Sequence, residues 1–546
     1  MPANACRHAG RPLTVEDVQR DEEPGLLALP NASYSEYHPL GRMSRTVPTA
    51  FSQPRAPTGI SGLDDILGGG LPRDHLYLFE GAPGSGKTTF GLQFLLEGRD
   101  RGEVGLYITL SETRSELEIV AASHGWSLDG IRVFELLSPD HLSPDAAQTI
   151  LHPSEVELGE TVDGVLRAIE REQPTRVVFD SLSEMRMLAQ DPLRYRRQIL
   201  ALKHIFARKQ CTVIMLDDRT SAQQDLQLHS IAHGVLGLEQ HTHQYGPERR
   251  CLRVSKLRGL KYRGGDHDYE IRTGGIEVYP RLVASEHRAG VEHTMVSSGN
   301  RGLDSLLGGG LSRGTSVLFS GPAGAGKTTT ALACVQAALE RGERCAFYLF
   351  DESLSIMLKR ATALGIEVGK YIESGTLELV QLDPAEMSAG EFAHRVREAV
   401  EAGAQTVVID SLNAYLHAMP GSRFLVLQMH ELLAYLNQKG VITLLILGQH
   451  GVLGEGRTDV DLSYLSDSML LFRYFEARGR LLKAMSVTKS RTNPHESTIR
   501  EFRLTARGIE IGDILLDFQG VLGGVPHYDG VRPLLADRDG KGAAKG

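Results

Sequence analysis

Two short stretches carry the residue types needed to grip a nucleoside triphosphate: Gly81–Thr88 reads GAPGSGKT and Gly321–Thr328 reads GPAGAGKT. Gly81, Gly84 and Gly86 in the first, and Gly321, Gly324 and Gly326 in the second, let backbone N–H groups wrap phosphate oxygens. Lys87 and Lys327 are placed to neutralise the outer phosphates. Thr88 and Thr328 offer hydroxyls to Mg2+, with Thr89 and Thr329 beside them in the same nucleotide site. One such match is fairly specific. Two in matching surroundings point to a tandem ATP-driven machine.

Acidic residues recur at fixed places around these loops. Asp180 and Asp410 end the apolar runs RVVFDS and TVVIDS, where each is expected to hold Mg2+ through water, although strand-terminal acids are also common turn residues. Glu112 and Glu352 close GLYITLSE and CAFYLFDE, following a strand near the phosphate-loop strand, and are candidates for activating a nucleophile. Their preceding residues differ, Ser111 against Asp351, and a helix N-cap is the structural alternative for both. Later come RVSKLRG, with Lys256 and Arg258, and SVTKSRT, with Lys489 and Arg491. Alternation places each Lys–Arg pair on one strand face. These cations could serve their own site, reach a neighbouring subunit's γ-phosphate, or simply line a solvated edge strand. The middle option gives a closed oligomer its purpose. His229, His233, His241 and His243 crowd together, yet no carboxylate or cysteine spacing specifies a metal there, and Trp126 reads as packing.

The elements that must position these groups are themselves duplicated. TGISGLDDILGGGLPRD at Thr58–Asp74 is echoed by SGNRGLDSLLGGGLSRG at Ser298–Gly314, and Gly62 to Gly302 and Lys87 to Lys327 are both offsets of 240. His75–Gly81 and Thr315–Gly321 read as buried strands, each followed by a helical pattern that stops at glycine. Further β-branched strands follow in both halves, including CTVIMLDD and VITLLILG. The rhythm predicts an α/β fold of two tandem domains, each a mostly parallel sheet flanked by helices. Extra polar sequence at His141–Glu160 reduces the Asp180-to-Asp410 offset to 230. Boundaries are expected at residues 1–54 for a flexible arm, 55–285 and 286–520 for the two domains, and 521–546 for a tail.

The bulk numbers agree. A chain of 546 residues exceeds what one core normally supports. With 41% hydrophobic and 23% charged residues, and no apolar run able to span a bilayer or export pattern, it reads as cytoplasmic. Cys6, Cys211, Cys251, Cys334 and Cys345 are odd in number and scattered, which fits a reducing compartment. A net charge of −9 makes no global case for nucleic acid.

Together the two phosphate loops, the GLD…LGGGL leaders, the paired glutamates and KLRG resemble the KaiC family of RecA-like ATPases over Thr58–Pro526, including the closing IGDILLDFQGVLGGVP. The resemblance implies tandem RecA-like domains and a double-ring homohexamer with ATP between subunits. It also implies slow hydrolysis in the first ring and serine/threonine autokinase activity in the second, with signalling partners the chain does not name. Glu112 then matches the second acid of a first-ring pair whose other member is Ser111 here, and Asp351–Glu352 match the second-ring pair. In TDVDLSYLSDS, Ser463 falls on the family's phosphorylated serine and Tyr464 on its threonine, with Thr458 nearby. A phenol oxygen projects farther than a threonine hydroxyl, so Ser463 is expected to be the chief acceptor. Two other readings are a RecA-like DNA-dependent motor, which needs a basic pore, and a nucleotide-stabilised scaffold with little turnover.

Overall fold

The computed structural model describes residues 53–136, 158–189, 191–219, 226–242, 246–287, 290–418, 425–449, 463–477, 479–522 and 527–528. The expected N-terminal arm, the polar insertion from residue 141, His243 and Thr458 fall wholly or largely outside these residues.

Among the described residues each half builds one nine-stranded sheet. In the first, Ile131–Glu135, Gly105–Thr109, Arg176–Asp180, Thr212–Asp217, Leu76–Gly81 and Gly234–His241 run parallel in that spatial order. Arg249–Leu257, Asp266–Arg272 and Gly275–Tyr279 then extend it as an antiparallel meander. The second half repeats this order, with Ser316–Pro322 between Ile442–Gln449 and Ser468–Ala477. These are two RecA-like α/β domains, each a mixed sheet flanked by helices.

Burial on both faces explains the unbroken apolar strands. Leu76–Gly81, Thr212–Asp217 and Arg176–Asp180 are buried throughout. Tyr77 and Phe79 face the core that receives Phe90 and Phe94 of the helix Lys87–Asp100. Leu76 and Leu78 face the opposite core, filled by Ile199, Leu202 and Phe206 of the helix Pro192–Arg208. Helix, sheet and helix make three layers, and the phosphate-loop strand is their axis. Lys256 and Lys489 do not lie on edge strands: Arg249–Leu257 and Arg480–Ser490 each have a neighbour on both sides.

One ion cluster ties the first half together. Arg176, with no exposed side-chain surface, reaches Glu103 at 2.9 Å, and Arg73 meets the same carboxylate at 2.6 Å. Burial pushes Glu103 up, but the hydrogen bonds and charges of Arg73 and Arg176 outweigh it and hold its pKa near about 2. Its stabilisation is therefore complete above the ordinary glutamate range and is lost as pH falls from about 4.5 towards about 2. Glu103→Gln leaves Arg176 buried without its counter-charge and is expected to cost about 3 kcal/mol in urea unfolding of the first half. A change under about 0.5 kcal/mol would show that the Pro57 and Phe94 carbonyls, which also accept from Arg176, suffice alone.

Candidate nucleotide sites

Both phosphate loops leave the C-terminal edge of the central strand, where a parallel α/β sheet places its ligands. Gly86 and Gly326 occupy the N-caps of Lys87–Asp100 and Lys327–Glu340 at φ 84° and 109°, a left-handed conformation that a β-carbon would strain. Gly84 and Gly324 share that region, and at Gly81 a β-carbon would lie 2.7 Å from the Leu238 carbonyl. The loops thus expose backbone donors at a helix N-terminus, a ready anion cradle. Thr89 and Thr329 are buried in the first helical turn, Thr89 against His124 at 3.5 Å.

In the first half, Lys87 Nζ donates to the carbonyls of Gly81 and Ala82 at 2.9 and 3.0 Å and pairs with Asp218 at 2.8 Å. The hydroxyl of Thr88 lies 3.4 Å from Asp180, which also accepts from the Tyr107 hydroxyl at 2.5 Å. Burial raises the Asp180 carboxyl. The strand before Glu112 is two strands removed from the loop strand, not adjacent to it, because Arg176–Asp180 and Thr212–Asp217 intervene. The glutamate still comes into the field of Asp180 and Asp218, because the polypeptide turns inward after Thr109, whose hydroxyl brackets Glu112 N and O at 2.9 and 2.8 Å. One oxygen of Glu112 is buried without a hydrogen-bond partner. Burial first, then Asp180 and neighbouring acids, push its pKa up to about 7.

The second half differs at the same positions. Lys327 Nζ donates to Gly321 and Pro322 carbonyls at 2.8 Å, with no ion pair among the described residues. Burial lowers its pKa to about 8 and raises that of Asp410 to about 6. Glu352 is forked by Arg360 at 2.6 and 2.8 Å, where Val120 stands in the first half. Asp351 accepts from the Ser411 hydroxyl. A cavity of about 380 Å³ brings together Lys327, Thr328, Asp351, Glu352 and Asp410. Neither Ser111 nor Asp351 caps a helix: the N-caps fall two residues later, at Thr113 and Ser353.

Oxygen donors near a buried lysine, joined in the first half by the unpartnered oxygen of Glu112, suit a triphosphate and a hard divalent cation such as Mg2+. Thr88 is hydrogen-bonded to Asp180, and Thr328 to Asp410, and these pairs could hold it.

The basic pairs lie elsewhere. Val235, opposite Lys256, follows Gly234, which pairs with Tyr77 near the start of the loop strand, whereas the loop leaves at Gly81. Lys489 likewise sits opposite Met469, beside Leu318. Neither pair reaches its own phosphate loop. Lys256 instead donates to the carbonyls of His229 and Ala232, and Arg258 to that of Ser230. Lys489 holds the Ser466 carbonyl at 2.7 Å and Arg491 the Tyr464 carbonyl at 3.3 Å. Ser463–Leu465 forms a 3₁₀ turn there, with Tyr464 52% exposed.

Sequence reasoning passed over Asp218 and Arg360. The acidic doublet ending CTVIMLDD was the available signal for Asp218: its strand neighbours the loop strand, and Gly448 takes its place in the second half. No helix among the described residues is long and apolar enough to cross a membrane.

A family model described as "ATPase: KaiC" matches residues 56–283 and again 296–515. The circadian clock oscillator protein KaiC of Parasynechococcus marenigrum (strain WH8102) is 27% identical over 495 residues, covering 88% of this chain and 94% of that protein. The circadian clock protein KaiC3 of Synechocystis sp. is 27% identical across 86% of this chain and 94% of its own. For the oscillator protein of Thermosynechococcus vestitus the figures are 27%, 89% and 95%.

Proposed function

This chain belongs to the KaiC family of ATPases, and from that premise we propose that its two halves divide the work: the first hydrolyses ATP and the second phosphorylates the chain itself. The observation that carries this reading is the contrast between the two glutamates. One oxygen of Glu112 is buried with no hydrogen-bond partner, while both oxygens of Glu352 are held by Arg360.

In the first half, Lys87 leaves Asp218 for the β- and γ-phosphates, Glu112 takes a proton from the water attacking the γ-phosphorus, the bond to the β-bridging oxygen breaks, and ADP and phosphate leave. Thr88 and Asp180 would hold the Mg2+ ion, which would supply positive charge against the triphosphate. In the second half, Ser463 Oγ attacks the γ-phosphorus, the bond to the β-bridging oxygen breaks, ADP leaves, and Glu352 accepts the hydroxyl proton. Asp351, held through Ser411, adds negative charge beside that proton.

The sites are completed across subunits of a double-ring homohexamer. Lys256, Arg258, Lys489 and Arg491 lie too far along their strands to serve their own loops, so they approach a neighbour's γ-phosphate. Lys489 and Arg491 also hold the turn carrying Ser463, which presents acceptor and cations together. That the relatives are clock proteins supports an output in signalling or timing through protein partners.

Mixing chains tests the trans arrangement. Glu352→Gln chains, unable to transfer phosphate, are expected to become labelled when co-assembled with Ser463→Ala chains in Mg·ATP, and sedimentation velocity should give the mass of six chains. Two inert variants that remain unlabelled together, or a labelled species sedimenting as one chain, would contradict it.

A further inference from the structure

The crowded histidines acquire partners that linear spacing concealed. Gly234–His241 and Arg249–Leu257 form an antiparallel hairpin in which Glu239 stands opposite Cys251 and His241 opposite Arg249. Glu239 and His241, two residues apart, share a sheet face, and Cys251 joins them from across the ladder. His241 Nε2 lies 3.7 Å from Glu239 Oε2 and 3.7 Å from Cys251 Sγ, and all three donor atoms fall within 4.8 Å of one another.

These separations have chemical meaning. Zinc bonds of roughly 2.0–2.3 Å in a tetrahedron place ligand atoms about 3.5 Å apart along each edge. The His–Glu and His–Cys spacings are near that value without a rotamer change. An exposed His–Glu ion pair explains one contact but gives no reason for a thiol to complete the triangle. Asp268, opposite Cys251 on the next strand, accepts from the Gly390 N–H at 2.7 Å. Asp266 is already engaged by Arg253 at 2.6 and 2.7 Å, which leaves Glu239 as the available carboxylate. Sulfur, nitrogen and one oxygen form a donor set for a borderline-soft cation rather than for Mg2+.

We propose that Glu239, His241 and Cys251 bind one zinc ion, with the fourth position open to water. The location gives it a structural role. Gln240 points to the opposite sheet face, and its amide oxygen is 3.4 Å from where a β-carbon on Gly84 of the phosphate loop would sit. Arg249, facing His241, donates to the Ala385 carbonyl of the second half at 2.6 Å. Zinc would therefore fasten a hairpin tip that touches the first phosphate loop on one side and the second domain on the other.

The test uses the full chain, stripped with chelator and free of nucleotide, titrated with cobalt(II). A thiolate-to-cobalt charge-transfer absorption is expected to saturate at one equivalent and to be displaced by zinc. Cobalt at the phosphate loops has only oxygen donors and gives no such absorption. Cys251→Ser should abolish the band, while His241→Ala and Glu239→Gln should each weaken zinc binding at least about tenfold. Absence of the band at saturation, its survival in Cys251→Ser, or unchanged zinc affinity in both other variants would overturn the assignment.

Discussion

Glu112→Gln is expected to lower phosphate release from the first half at least about a hundredfold, the lower end of what a positioned general base contributes. The substitution retains size and hydrogen-bonding capacity while removing the proton-accepting oxygen, so nucleotide binding should change little. Measured in a Lys327→Ala background, the loss reports the first site alone. The pH dependence supplies a second signature. With burial and neighbouring acids raising Glu112 to about 7, the base form is scarce below that pH and dominant above it. The value of kcat/KM, which reports the free enzyme, should rise about tenfold between pH 6 and pH 8. Glu112→Gln should flatten that limb. A pH-independent rate, or a variant within a factor of about three of the parent, would remove Glu112 from the chemistry.

Phosphate incorporation should fail in two distinct ways in the second half. Ser463→Ala removes the acceptor and is expected to eliminate most label while leaving hydrolysis intact. Glu352→Gln removes the proton acceptor and should slow labelling at least about a hundredfold. Tyr464→Phe is expected to retain most of it, because an exposed phenol on the same turn projects its oxygen past the point that serves a serine. Arg360 sharpens the comparison between the two glutamates: its fork fixes the Glu352 carboxylate, so Arg360→Ala should slow transfer without weakening ATP binding at Lys327. Equal labelling of the parent and Glu352→Gln chains would assign proton removal to another group.

Much of the architecture was legible because its signals are local. Gly86 and Lys87 announce the phosphate loop by type and spacing, and Asp180 and Asp410 end runs whose uninterrupted apolarity reflects burial on both faces. The constant offset between Lys87 and Lys327 exposed the duplication. What escaped notice depends on pairing between distant segments. Asp218 meets Lys87 only because its strand neighbours the loop strand. Arg360 reaches back about two helical turns to Glu352, which precedes the helix, and Cys251 meets His241 through hairpin register. The caps at Thr113 and Ser353 show the reverse limitation: the strand ends were legible, but the chain turns for two further residues before each helix begins. The alternative of a solvated edge strand at Lys256 and Lys489 is excluded, because a meander beyond each strand, with a weaker alternating pattern than the parallel core, covers it.

On the proposed reading, the second half phosphorylates Ser463 of a neighbouring copy independently of hydrolysis in the first. The most direct measurement is a quantitative phosphopeptide map of Glu112→Gln protein incubated with Mg·ATP. One principal phosphate on Ser463, accumulating while release of free phosphate is suppressed, is the predicted result. A map with no phosphate between residues 458 and 464, alongside undiminished phosphate release, would contradict it.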